Sequence, residues 1–429
     1  MPATALRPAT LLLTVLLGLL SFTVPRRWSL TPILVASVLL PDDQRIILAG
    51  VNWTMFRLLL LCSLGRVAAR GEHRHVRRAG IDRLLIAFSI SNVIAAVFLY
   101  GTADAVVNRL GGAFDVVGFY FVSRVAIKEP SDLRAVIYVS FVCMIPLVLA
   151  MLLEWRTGRN IFYLLGGVPE LTEVREGRLR CQGAFPHPIM AGLFAASWAP
   201  FFASWSWRHI RTRSVVGVAA ALTAVVLSAS STPLLAFIAG FSSLMLWRMR
   251  AQMRAVRWSV AAILLVLHLV RDAPVWHLLA RINVVGGSTG WHRYYLIDQA
   301  IAHFSEWALF GTVSTAHWGL GLVDVTNQFI LTGAKGGLLP MLLLIAMVSL
   351  GFRSAGRAAN ARSLGPELRW TAWCTGAALF VHLVSFFSVS YFGQMTYVWY
   401  MHLAIAAALG DFASGSRSSP TTPENHAIV

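Results

Sequence analysis

GGSTGWHRYYLIDQAIAHFSEWALFGTVSTAHWGLGLVDVTNQFILTGAKGGLLPMLLLIAM, residues 286–347, passes from a charged, aromatic-rich stretch straight into an apolar run. Its first two thirds carry Arg293, Asp298, His303, Glu306, His317 and Asp324. From about residue 325 onward it reads as a membrane helix, because about twenty apolar residues at roughly 1.5 Å each span a hydrocarbon core. Ionisable groups therefore sit directly on a membrane core, and the other segments take their places around that junction.

With 57% hydrophobic and 13% charged residues and a mean hydropathy of +0.66, the chain has more apolar surface than a soluble or disordered protein could hide from water. Backbone amides in lipid must be satisfied within a helix or a closed barrel. Alternation at period two is absent and the apolar runs approach helical span length, which selects helices. The net charge of +17 would suggest nucleic acid in a soluble protein. Here it is concentrated in turns between apolar segments, where it sets orientation and meets anionic membrane lipids, and no nucleic-acid partner is expected.

The basic block GRVAARGEHRHVRRAGIDR, residues 65–83, belongs on the cytoplasmic side by the positive-inside rule. Threading from it gives spans near 11–24, 28–40, 46–64, 84–101, 104–127, 133–153, 187–207, 213–228, 233–247, 257–270, 325–350, 370–389 and 394–411. The alternation returns Arg208, Arg211 and Arg213, then Arg248, Arg250, Arg254 and Arg257, then Arg353, Arg357, Arg362 and Arg369 to the inside. Two long loops, about 154–186 and 271–324, fall on the outer face. The expectation is an all-α polytopic membrane protein of about twelve to thirteen transmembrane helices. It forms one multispanning domain over 1–413 with an uncleaved first span, followed by a disordered cytoplasmic tail at 414–429 that is rich in Ser, Thr and Pro. No internal repeat is visible. Cys62, Cys143 and Cys374 lie in or beside spans and only Cys181 in an outer loop, so neither a disulfide nor a cysteine metal site is implied.

In the first outer loop, Arg178-Leu-Arg-Cys-Gln-Gly-Ala-Phe-Pro-His-Pro leads into a span. Gly183, Pro186 and Pro188 make a stiff, bent approach that holds Arg180 and His187 at the end of a helix. A guanidinium there can grip phosphate oxygens in pairs; it can equally snorkel to lipid headgroups. Arg293 follows a Gly-rich run and starts an amphipathic stretch in which Arg293, Ile297 and Ile301 share a face, which makes it a candidate second phosphate ligand. Asp298, Glu306 and Asp324 are the carboxylates available to take a proton from a hydroxyl, and His187, His292, His303 and His317 are the imidazoles. Asp324 stands before a helix, where Asp also serves as an N-cap, with Asn327 and Gln328 close behind. The histidine spacing at 292, 303 and 317 does not match a metal motif, and no HExxH, paired-cysteine, P-loop or GxSxG pattern occurs, so no metal and no cofactor are expected.

Asp115 and Arg124 lie inside an apolar segment, where charges are expensive. Nine residues apart, they point to opposite faces and do not pair with each other. Arg124 is expected to snorkel toward the cytoplasmic end. His382 and His402 in the last two spans could line a cavity, but hydrogen-bonded histidines of the bundle are the expectation.

The order of these features resembles the O-antigen ligase and O-antigen polymerase family. One outer loop has the Arg, Gly, Phe, Pro approach (Arg180, Gly183, Phe185, Pro188), and a small polar turn follows, Ser228-Ala-Ser-Ser-Thr. A large outer loop then has an Arg before an aromatic-rich helix and a Phe310-Gly311 turn. It closes on Thr326-Asn327-Gln328-Phe329-Ile330 and Gly336-Gly337-Leu338, similar to the family's His-Asn-x-Tyr-Leu and Gly-Gly-Leu. The resemblance covers roughly residues 180–350.

What it implies is a GT-C-like membrane glycosyltransferase of the bacterial inner membrane with its active site on the periplasmic face. Such an enzyme ligates or polymerises a glycan carried on undecaprenyl diphosphate, with a glycan or lipid acceptor and without a metal or nucleotide sugar. By position, Arg180 and Arg293 would hold the departing diphosphate, with His187, Asn327 and Asp298 in support. The family's histidine is Thr326 here, so Asp324 or His317 would have to activate the acceptor. Two other readings stand beside it: a transporter or flippase of such a lipid or another anion, and a non-catalytic component of a polysaccharide assembly complex.

Overall fold

A computed structural model describes residues 6–48, 51–74, 78–208, 210–281 and 290–415, and these are mostly helical. The elements in order are α1 (Pro8–Thr23), α2 (Thr31–Leu39), β1 (Arg45–Leu48), β2 (Val51–Thr54), α3 (Met55–Ala69), α4 (Gly80–Tyr100), α5 (Ala103–Ala126) and α6 (Pro130–Thr157). A hairpin, β3 (Glu173–Arg175) and β4 (Arg178–Arg180), precedes α7 (Pro188–Ala203), α8 (Arg211–Leu227), α9 (Ser231–Met245) and α10 (Met253–Val270). Then come α11 (Gly290–Ala302), α12 (Phe304–Trp307), α13 (Gln328–Gly336), α14 (Leu338–Asn360), α15 (Pro366–Phe386) and α16 (Gln394–Gly415). The centre is α7, in which every residue except Ile189 is buried. Small residues such as Ala191, Gly192 and Ala195 let α8, α9 and α15 pack closely against it.

Among the described residues five stretches are long and apolar enough to cross a membrane: α4, α5, α6, the run Ser231–Val270 that contains α9 and α10, and α14. The α1 helix is apolar but shorter. Several expected boundaries are corrected. The segment expected at 46–64 opens as the antiparallel hairpin β1–β2, with Ile46 opposite Trp53, and becomes helical only at Met55. Its β-branched residues Ile46, Ile47 and Val51 favour the extended chain. The segment expected at 28–40 is a nine-residue helix, about 14 Å long, too short to span a bilayer alone. The single helix expected at 325–350 is two, α13 and α14, broken at Gly337. Gly337 has φ +89 and ψ −179, a conformation reserved for glycine, and a Cβ there would overlap the Leu309 carbonyl. Residues 416–429 of the expected tail lie outside the described residues, while 414 and 415 belong to α16.

The buried charges find partners that sequence spacing does not show. Asp115 of α5 is bound by Arg57 of α3 through Nε at 2.8 Å and Nη2 at 2.8 Å. Arg124 does not snorkel: its side chain is 2% exposed and pairs with Asp411 at 2.8 Å and Asp82 at 3.4 Å. The expectation that Asp115 and Arg124 face apart is met. His382 is, as expected, a bundle histidine, linked to the Tyr391 hydroxyl and to His402 Nδ1, both at 2.9 Å.

Two stability outcomes follow from this packing. Gly337→Ala should cost about 1–3 kcal/mol through backbone strain. Gly356→Ala, in α14 with open space around it, should not destabilise, and detergent-solubilised thermal melts compare the two. Asp115→Ala should cost about 3–5 kcal/mol by stranding Arg57, and the double change Arg57→Leu with Asp115→Leu should recover part of that loss in the same assay.

Candidate functional site

The site is built on a carboxylate the sequence reading passed over. Glu154, in the last turn of α6 and 1% exposed, accepts hydrogen bonds from the backbone N–H of Gln182 at 3.2 Å and of Gly183 at 2.9 Å, and from the Thr172 hydroxyl at 3.2 Å. Asn160 adds a bond from Nδ2 to the Gly183 carbonyl at 2.8 Å. Gly183 turns with φ +57, and a Cβ on it would lie 2.7 Å from Leu147 Cδ1. The approach to α7 is thereby fixed, and with it Arg180 and His187.

Arg180 ends β4, opposite Glu173 of β3 in the hairpin register. Its side chain is 5% exposed, with Nη1 donating to Glu173 Oε1 at 2.8 Å and Nη2 to Ser230 Oγ at 3.0 Å. Arg293, on the first turn of α11, donates from Nη2 to Thr232 Oγ1 at 3.1 Å. The two arginines expected to act together, from loops more than a hundred residues apart, thus converge on one turn, residues 228–232. Each keeps its buried Nε without a hydrogen-bond partner. Burial pulls the Arg293 guanidinium below its ordinary value, yet an arginine keeps its charge under those conditions. The turn itself is strained, because Ala229 adopts φ +44, a left-handed conformation unusual for a residue with a Cβ.

His187 caps α7, its Nδ1 accepting from the Ile189 N–H at 3.1 Å. With Nδ1 acting as acceptor, the neutral ring carries its proton on Nε2 and offers a donor. Burial lowers its pKa from 6.5, Arg180 and Arg175 lower it further, and Glu173 and Asp324 partly offset them. Asp324 therefore lies within electrostatic reach of His187. It does not cap α13: Asn327 does, its Oδ1 accepting from Phe329 N at 3.0 Å and Ile330 N at 3.1 Å. Among the described residues no side chain binds the exposed Asp324 carboxylate, while its backbone carbonyl meets His292 Nε2 at 3.1 Å. The Thr326 hydroxyl is buried without a partner.

Other expected site residues are engaged elsewhere. His317 bonds Glu306 at 2.9 Å and packs beside His303 and Trp318. Thr312 and Trp318 also donate to Glu306, and these bonds outweigh desolvation and lower its pKa. The ligand atoms of His303, Glu306 and His317 lie within 4.8 Å of one another, close enough to hold a metal ion, although two of the three residues are exposed. The fold thus brings together histidines whose spacing in sequence matched no metal motif. Asp298 accepts from Trp276 Nε1 at 2.6 Å and meets His277 Nε2 at 2.8 Å, tying α11 to the preceding loop rather than reaching the arginines. Glu154, Glu173 and Asn160 are the site-building residues that sequence reasoning missed. The one sequence signal was Gly177 after Glu176, a pair that suits a tight hairpin turn; the structure gives the two residues φ +51 and +72 and so sets Glu173 against Arg180.

Compared with protein-family models and with curated proteins, the chain matches none.

The His187 environment has a pH consequence. Its folded pKa lies below the unfolded 6.5, so on acidification the unfolded chain takes up the proton first. The contribution of His187 is fully present above pH 6.5 and declines as the pH falls toward its folded value. Melting temperature should drop between pH 7 and 5, and His187→Asn, which keeps a capping acceptor, should flatten that slope.

Proposed function

We propose that this chain is a polytopic inner-membrane glycosyltransferase of the O-antigen ligase and polymerase kind, moving a glycan from undecaprenyl diphosphate to a hydroxyl acceptor at the periplasmic face. The observation that carries this reading is the convergence of Arg180 and Arg293 on the 228–232 turn, each with a buried, unsatisfied Nε. Among the described residues Arg180 pairs with one partly exposed carboxylate, Glu173, and Arg293 with none, so the cradle carries excess positive charge suited to a diphosphate. Several apolar faces support a membrane setting. The α10 helix buries none of its residues although Ile263, Leu264, Val266 and Val270 line it, and α1 exposes Leu12, Leu16 and Leu19. In this reading the shorter helices join the five long ones as about twelve to thirteen spans of a GT-C-like bundle.

The acceptor oxygen attacks the anomeric carbon as the carbon–oxygen bond to the diphosphate breaks with inversion. The bonding pair leaves with the diphosphate, where Arg180, Arg293 and the Nε2–H of His187 meet the developing charge. The acceptor proton passes to Asp324, whose carboxylate is free and exposed; His317, held by Glu306, is the weaker choice. Asn327 acts by capping α13 and fixing the segment that carries Asp324.

The protein reconstituted with glycan-loaded undecaprenyl diphosphate should release the lipid diphosphate. Arg180→Ala and Arg293→Ala should each lower turnover about 10²–10³-fold in correctly folded protein, and Asp324→Asn should reduce it while His317→Gln has less effect. Absence of turnover with a panel of donors and acceptors, combined with movement of labelled lipid across vesicles, would replace this reading with transport.

A further inference from the structure

At the opposite end of the bundle, the turn before α2, the starts of α6 and α8 and the 204–208 segment line a cleft of about 260 Å³. Arg134 lies on the second turn of α6 and Glu154 on its last, twenty residues apart, so this cleft is about 30 Å from the arginine cradle. Its rim carries three guanidinium groups, Arg27, Arg134 and Arg213. Arg27 lies over the Trp28 ring at 5.5 Å, and Arg213 over the Tyr138 ring at 5.7 Å. The two rings meet edge to face at 6.2 Å, so cations and aromatics form one connected surface. Among the described residues neither Arg27 nor Arg213 pairs with a carboxylate, and Arg134 has only the long, half-exposed contact to Glu367 at 3.7 Å. The floor is apolar, with the buried Trp205 and Ala135.

The surface leading away from the cleft decides what kind of anion fits. Arg134, Tyr138 and Val142 are spaced four residues apart and form one stripe on α6, passing from cation to aromatic to aliphatic. Tyr138 is 38% and Val142 47% exposed, and Val215 and Leu222 of α8 expose apolar side chains alongside them. A free phosphate would use only the rim. A phospholipid would use both, with its phosphate among the arginines and its acyl chains along the α6 and α8 faces.

We propose that this cleft binds the headgroup of an anionic phospholipid, distinct from the lipid-linked substrate at the other end. The proposal rests on the membrane setting of the preceding reading and not on its chemistry. The purified protein in detergent is titrated with phosphatidylglycerol, phosphatidylcholine or inorganic phosphate while its thermal unfolding is followed. Phosphatidylglycerol should raise the melting temperature by several degrees, and phosphatidylcholine and phosphate should not. The variant Arg27→Gln/Arg134→Gln/Arg213→Gln and the single variant Tyr138→Glu, which adds a carboxylate without removing an arginine, should both lose that shift. The charge-matched Arg248→Gln/Arg254→Gln/Arg257→Gln should keep it. Equal shifts from both lipids, an undiminished shift in the cleft variants, loss of the shift in the charge-matched control, or an equal response to phosphate would each overturn the assignment. A protein that stays dispersed and monomeric without detergent would overturn the membrane setting as well, whereas headgroup-blind lipid stabilisation would leave that setting intact.

Discussion

The carboxylate of Glu154 is the constraint on which the candidate site depends. Buried at the end of α6, it takes the backbone N–H groups of Gln182 and Gly183 and the hydroxyl of Thr172, closing the first long loop back onto the bundle. Several donors directed at one ionised oxygen pair make a bond set about twice as strong as neutral ones. Everything that follows in the chain inherits that fixed geometry: the Gly183 turn, the His187 cap, and the placement of β4 against the α8–α9 turn, where Cys181 N donates to the Leu227 carbonyl at 3.0 Å. Remote loops can meet at Ser230 and Thr232 because one of them has been tied down first.

The bundle treats its charges in two ways. Arg57 and Asp115, Arg66 and Glu72, and Arg124 with Asp82 and Asp411 are closed pairs, as an apolar interior demands, since an unpartnered ion there is far costlier than a mismatched contact. At the loop end, Arg180 and Arg293 each donate to a neutral hydroxyl, Arg180 also to the half-exposed Glu173, and both keep a nitrogen unsatisfied. At the other end, Arg27 and Arg213 lie against aromatic faces instead of carboxylates. The difference separates charges that stabilise helix packing from charges available to a ligand.

Much of this was legible in the sequence. Apolar runs located the long helices, and two arginines, Arg180 before a Gly-Pro approach and Arg293 after a Gly-rich run, stood out as candidates before their meeting point was known. The Ser228–Thr232 turn was also visible, although not as the place where they meet. Pairings across the bundle were not legible: Arg57 and Asp115 are 58 residues apart and meet because α3 packs on α5, which no local pattern encodes. The break at Gly337 was readable from the Gly-Gly pair, but the strong hydropathy around it favoured one continuous helix. At 46–54, a short apolar run fits helix and strand alike, and the hairpin prevailed through its β-branched residues. Asp324 was misjudged as a possible cap because Asn327, three residues on, fills that position better, with two backbone donors on one oxygen.

That exchange of roles bears on the chemistry. A capping aspartate would be neutralised in place by the helix N–H groups and poorly suited to receive a proton. With Asn327 as the cap, Asp324 has no side-chain partner among the described residues and lies within electrostatic reach of His187. Glu173 completes the arrangement from the other side. Among the described residues it is the one carboxylate bound to Arg180, and at 45% exposed it reaches in from solvent to a buried guanidinium, so an incoming anion would take its place rather than leave that charge uncompensated. Ser230 and Thr232, by contrast, orient the guanidinium groups without cancelling their charge. A cradle held by hydroxyls and guarded by one displaceable carboxylate is preorganised for an anion and still open to it.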